Sequence, residues 1–290
     1  MLATVHQHLK HSEALSVLAA HFGQVDVHLQ EDLANCGVLA VRLPCKAEIW
    51  LDVDLPQPAK SAGLKILVVQ EPPDVKTLSL EGFDLILTWQ DEHLKSLGRR
   101  AEFFVPATPW LLPAEWPQFL PKKLGIGFLR GSKRRTRGHV LRHKIWEERA
   151  RLSQSEVPAD FLEGGGVSRD QRNLQFFNQF VLVIENSKHV NYFSEKLLDV
   201  LLARCIPVYW GCPNIADFFD VAGMILIESP DVDEAAEQVI SQCHLLPGGG
   251  GGELPSRRQV CWGLWPAPSE GHRGCPRSDE GFGNPKESYA

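Results

Sequence analysis

Acid, amide and hydroxyl stand together at Glu185-Asn186-Ser187, directly after an apolar run at residues 180–184. Ser194-Glu195-Lys196 opens the next apolar segment. Polar groups at the edges of segments fit for burial belong on the rim of a cleft. Ser194 can cap the following helix by accepting from a first-turn N–H. Glu195 in that first turn complements the positive helix end. Capping explains Ser194 fully and Glu195 in part. It does not explain Lys196, whose cation opposes the dipole. A lysine there makes sense beside an anion, and a helix N-terminus plus an ammonium suits a diphosphate. Simple helix capping and an anion site both stay open here.

A second cluster, Arg130-Gly-Ser-Lys133-Arg134-Arg135-Thr-Arg137-Gly-His139, follows a predicted strand, with Arg142 and Lys144 on the next helix. Such a run can be a solvated charged face. It can be a nucleic-acid patch, but the chain's net charge of -6 and the lack of interleaved aromatics oppose that. It can also clamp a diphosphate opposite Lys196, since the arginine fork matches phosphate oxygens. Arg142 falls in the first turn of a helix predicted over 140–152, from which it can aim into a cleft. Glu71 ends an apolar strand and precedes Pro72-Pro73. Taken alone it reads as an ordinary loop carboxylate. Across a cleft from a diphosphate site it becomes a candidate general base. Asp84, Asp91 and Glu92 read as loop or helix-start acids. His6, His8, His11 and His21 show no metal-ligand spacing.

Short apolar runs position these residues. Strands are predicted over 47–53, 65–69, 83–89, 101–105, 124–129, 180–184, 206–210 and 224–227. Helices are predicted over 1–23, 140–152, 195–203, 215–219 and 233–245. Continuous apolar runs suit a parallel sheet covered on both faces. Strands alternating with helices imply right-handed β-α-β units. A proline-rich stretch from Pro106 to Lys123 reads as a linker. The expected fold is therefore α/β: two Rossmann-like, doubly wound domains facing a cleft, with ligands at the carboxyl ends of strands. The expected domains are 1–118, 119–246 and a Gly/Pro-rich tail over 247–290, read as disordered or as an artefact of gene prediction.

Composition sets the outer bounds. The 290 residues are 43% hydrophobic and 23% charged, as in a globular protein. No apolar run approaches the roughly 18 residues of a membrane span. The seven cysteines form no Cys-x-x-Cys pair, and no Asn-x-Ser/Thr acceptor occurs, which leans towards a reducing compartment. Gly-x-Gly-x-x-Gly and P-loop signatures are absent.

The block FVLVIENSKHVNYFSEKLLDVLLARCIPVYWGCPNIADFFD, residues 180–220, closely resembles the donor-binding region of the family-ten glycosyltransferases, the α-1,3/4-fucosyltransferases. Residues 83–89 and the segment Thr136 to Arg142 extend the likeness, which covers about 65–246. The resemblance implies a GT-B fold and inverting transfer of fucose from GDP-fucose to a glycan hydroxyl, as part of protein or lipid glycosylation. By position it implies donor contacts from Arg142, Asn186, Tyr192, Glu195 and Lys196, and a catalytic carboxylate at Glu71. It implies no metal and no cofactor beyond the GDP-fucose donor, and an oligosaccharide acceptor as the second partner. The Gly-rich tail stands where such enzymes carry a further helix, and no membrane anchor is present. A eukaryotic member lacking its anchor belongs in the Golgi lumen, another in the cytoplasm. The alternatives are another nucleotide-sugar transferase, or a sugar-nucleotide binder that has lost turnover.

Overall fold

The computed structural model describes residues 2–8, 36–42, 47–52, 54, 64–105, 107, 109–111, 113–154, 156–164 and 168–246. The tail from Pro247 lies outside the described residues, as do His11 and His21. The first sheet contains β1 (Leu2–His8), β2 (Cys36–Arg42), β3 (Ala47–Leu51), β4 (Leu64–Val68), β5 (Leu85–Thr88) and β6 (Ala101–Phe103). Its order is β2-β1-β3-β4-β5-β6. Only the β1–β2 pair is antiparallel. Helix α1 (Asp91–Leu97) connects β5 to β6.

Residues 2–8 correct the helix expected over 1–23. They form a strand hydrogen-bonded on both sides, to β2 and to β3. Pairing on both edges satisfies the strand's N–H and C=O groups, which outweighs a helical periodicity short enough to be ambiguous.

The second sheet contains β7 (Lys123–Leu129), β8 (Ala159–Leu162), β9 (Asn178–Ile184), β10 (Ile206–Trp210) and β11 (Ile225–Leu226). Its order is β11-β10-β9-β7-β8, and every pair is parallel. The helices are α2 (Arg137–Glu147), α3 (Arg149–Leu152), α4 (Arg169–Asn173), α5 (Glu195–Leu202) and α6 (Val232–His244). Both faces are covered, as the continuous apolar runs require. Phe128, Phe180, Leu182 and Val208 pack with Leu141 and Ile145 of α2 and Val239 and Ile240 of α6. Val181, Val183 and Tyr209 pack with Leu197, Val200 and Leu201 of α5. Each such side chain withdrawn from water contributes about 1.5–3 kcal/mol. The expected α/β architecture of two sheets is present.

From β7 the chain passes to β8 on one side, then returns to β9 on the other. Where strand order reverses, the connections leave in opposite directions and a crevice opens beyond the carboxyl ends of the two strands. The ends of β7 and β9 therefore mark the place for a ligand.

The proline-rich stretch joins the two sheets but is no loose tether. Leu111 and Phe119 are fully buried, in one cluster with Trp89, Val181 and Leu197. The Trp110 and Leu111 N–H groups donate to Asp199 Oδ1 on α5 at 2.7 and 2.9 Å. Prolines stiffen the backbone and leave few N–H groups to satisfy, so such a segment packs readily. Among the described residues, no helix is long and apolar enough to cross a membrane.

Candidate active site

Glu185, Asn186 and Ser187 correct the expectation of side chains on a cleft rim: they are 0%, 9% and 2% exposed. The start of α2 covers them. Gly138 N donates to the Asn186 carbonyl at 3.0 Å, and the Thr136 hydroxyl donates to the same oxygen. A Cβ at position 138 would lie 1.8 Å from the Glu185 carbonyl, so only glycine lets the helix come this close. Thr136 caps α2, and the His139 ring answers by accepting from Thr136 N at 3.1 Å. Burial, helped by the Arg142, Lys133 and Lys196 charges, pushes His139 down to about 4. His139 is therefore neutral near neutral pH and fit for that acceptor role.

Because α2 begins at Arg137, Arg142 sits in its second turn and not the first. There the guanidinium is buried, and Nη2 donates to Asn186 Oδ1 at 2.6 Å. Nε donates to the Gly138 carbonyl at 3.3 Å. Burial lowers its proton affinity, while Glu185, Tyr192 and Glu195 act to restore it. Asn186 thus aims Arg142 at the end of β9.

Ser194 caps α5, as expected, accepting from Lys196 N at 3.4 Å. Its own N–H and hydroxyl donate to the two oxygens of Glu185 at 2.9 and 2.6 Å. Lys196 Nζ lies 3.0 Å from Glu195 Oε1, 2.9 Å from Ser194 Oγ and 3.7 Å from Glu185 Oε2. Burial opposes the Lys196 charge, but Glu195 and Glu185 outweigh it and raise its affinity for the proton. Arg142 lies near enough to pull the other way. For Glu195, Lys196 overcomes burial and holds the carboxyl below its usual range. For fully buried Glu185, burial wins and favours the protonated form. Arg142 and Lys196 thus bring a guanidinium and an ammonium to the end of β9, a pairing that suits a diphosphate.

The first sheet approaches this cluster through its strand ends. Glu71 is half-buried just after β4, and its charge acts on Tyr192 of the second half. Tyr192 is buried with its ring 5.0 Å from that of Trp89, which follows β5. Asn191 adopts a left-handed backbone (φ 63°) and donates to Trp89 O at 3.3 Å and Asp91 Oδ1 at 3.1 Å. Asp74 accepts from the Ser187 hydroxyl and pairs with His189 Nε2 at 3.2 Å. Charge coupling or direct contact thus joins Glu71, Tyr192, Arg142, Asn186, Glu195 and Lys196 in one neighbourhood. Of the rival acids, Asp84 pairs with Lys65 at 3.2 Å and Glu92 opens α1, while Asp91, also in the first turn of α1, accepts from Asn191 at 3.1 Å. Sequence reasoning missed Glu185 as the hub under Lys196. It also missed Asp74, whose three-residue spacing from Glu71 was a weak signal.

Lys133, Arg134, Arg135 and Arg137 are exposed and form no ion pair among the described residues, whereas Arg130 pairs with Glu163. A hollow of about 600 Å³, lined by Lys144 and acids such as Asp233 and Glu237, lies between α2 and α6. It shares no residue with the cluster, and its acidic lining does not suit a phosphate. Among the described residues, no group of three or more His, Cys, Asp or Glu could hold a metal.

No family model matches the chain. Alpha-(1,3)-fucosyltransferase FucT of Helicobacter pylori is 29% identical over 85 residues, 26% of this chain and 18% of its own length. The chain thus spans under a fifth of the curated relative it matches. A crystal structure of alpha1,3-fucosyltransferase with GDP-fucose aligns at a TM-score of 0.44 and 14% identity, covering 69% of this chain and 67% of that one. One with GDP aligns at a TM-score of 0.45 and 12% identity, covering 81% and 75%.

Proposed function

We propose that the chain is a glycosyltransferase of GT-B type that moves fucose from GDP-fucose to a hydroxyl of a glycan acceptor, with inversion. Residues 1–118 form its acceptor side and residues 119–246 its donor side. The observation that carries this is the meeting of Arg142 and Lys196 at the end of β9, beside the switch point, with Glu71 approaching from the other half. The partial likeness to the Helicobacter pylori α-(1,3)-fucosyltransferase supports the choice of sugar.

In this mechanism Glu71 takes the acceptor proton while that oxygen attacks the anomeric carbon. The bond from that carbon to the diphosphate breaks as the new glycosidic bond forms, through an oxocarbenium-like state. Arg142 and Lys196 offset the charge growing on the departing GDP, with no metal required. Asn186 orients Arg142, Glu195 holds Lys196 and contacts the donor, and Tyr192 walls the site with its ring.

Calorimetry with GDP-fucose, GDP-mannose and UDP-galactose tests the donor, and transfer to lactosamine and other oligosaccharides tests turnover. GDP-fucose binding preferred over the others, with a fucosylated product, is the expected result. Equal indifference to all three donors overturns the proposal. Tight GDP-fucose binding without transfer to any acceptor makes the chain a binder.

A further inference from the structure

Asp52 stands at the end of β3 in a left-handed backbone (φ 49°), a conformation that costs most non-glycine residues about 1–2 kcal/mol. Strain of this kind persists where the surroundings hold it. Here two of the holding contacts reach the Gln70–Glu71 segment. The two carboxylate oxygens of Asp52 accept from Gln70 N at 2.7 Å and from Glu71 N at 2.9 Å. Its own N–H donates to Val68 O at 3.0 Å, continuing the β3–β4 ladder past its last pair. Its carbonyl accepts from the Lys76 ammonium. On the far side of the same turn, Trp89 Nε1 donates to the Gln70 carbonyl at 3.3 Å. The Trp89 ring in turn packs on Tyr192.

We propose that Asp52 is a positioning residue: its carboxylate clamps the Gln70–Glu71 turn from the end of β3 and presents Glu71 to Tyr192 and the donor site. This rests on Glu71 being the base of the proposed reaction. An acid with no backbone ties would leave Glu71 on a free bend after β4. Two N–H bonds to a charged acceptor are stronger than the same bonds to a neutral one. The clamp is therefore firmest when Asp52 is ionised. Burial raises Asp52 to about 6, aided by the neighbouring Glu71 charge and opposed by the two N–H donors and Lys76. The turn should loosen as pH falls through that value.

Two variants test this. Asp52→Gly keeps the left-handed backbone at no steric cost and deletes the acceptor. Asp52→Asn keeps the shape and one acceptor oxygen but does not titrate. In Asp52→Gly, the Gln70 and Glu71 amides should exchange with deuterium about tenfold faster or more. Its kcat should fall by up to roughly a hundredfold, as for a displaced reacting group, with donor KM unchanged. Asp52→Asn should regain part of kcat and lose the acid limb near pH 6 expected of the unaltered chain. A folded Asp52→Gly with native exchange or native kcat overturns the clamp, and so does an unchanged acid limb in Asp52→Asn. If the unaltered chain transfers no fucose, the proposed reaction fails, and amide exchange alone decides the clamp.

Discussion

At the scale of single residues, Lys196 holds the clearest test. Its side chain is 29% exposed, and the ammonium touches two carboxylates and a hydroxyl. Removing one donor to developing charge costs about 3–4 kcal/mol, a hundred- to thousandfold in rate. Lys196→Ala should lose transfer by that factor and stay folded. Truncating one partner of a buried pair often unfolds a protein by stranding the other charge. Here Glu185 keeps the two bonds it accepts from the Ser194 N–H and hydroxyl when Lys196 is gone. Circular dichroism and a thermal melt near those of the unaltered chain, with transfer lost, are the expected outcome. Native turnover in Lys196→Ala would remove the ammonium from the mechanism.

At the scale of elements, the site depends on how closely α2 approaches β9. Gly138→Ala places a Cβ 1.8 Å from the Glu185 carbonyl and 2.7 Å from the Asn186 carbonyl. Backbone atoms cannot swing aside, so the helix must retreat, at about 1–3 kcal/mol for overpacking. Arg142 rides on that helix, and its 2.6 Å bond to Asn186 should break with the shift. Urea titration should show the lost stability, and calorimetry should show weaker GDP binding. Equal stability with full binding would mean that the contact is slack. Much of this element was legible and part was not. The end of β9 and the start of α5 followed from a continuous apolar run and a serine cap, and 206–210 matched β10 as predicted. The start of α2 was placed three residues late, because its capping partner is His139 where Glu or Gln is usual. Burial of Glu185 could not be read locally, since the helix that covers it begins nearly fifty residues earlier. Strand β1 was hidden for the same reason: its partners, not its own pattern, decide it.

At the scale of the whole molecule, Asp199 ties the two halves together. It accepts from Trp110 N and Leu111 N in the connecting stretch and pairs with Arg172 at 3.2 Å, while the Arg172 guanidinium lies 4.6 Å from the Trp110 ring centre. Burial lifts Asp199 to about 7, against the pull of Arg172 and the two N–H groups. A carboxyl in an unfolded chain releases its proton near 3.8. Between those two values the folded state binds more protons than the unfolded one at this position. The contribution of Asp199 to stability is then fully present below pH 4 and is lost as pH rises through 7. His139 has the opposite sign, since its folded value near 4 lies below its unfolded 6.5, so its part grows as pH rises through that window. Asp199→Asn removes the first slope and leaves the second. The unaltered chain should therefore lose stability relative to Asp199→Asn as pH rises from 5 to 7, because only the carboxyl titrates in that window. Urea unfolding at the two pH values measures this directly. A difference that stays constant between the two pH values would mean that Asp199 is ionised throughout and that the guanidinium, not burial, governs the joint between the halves.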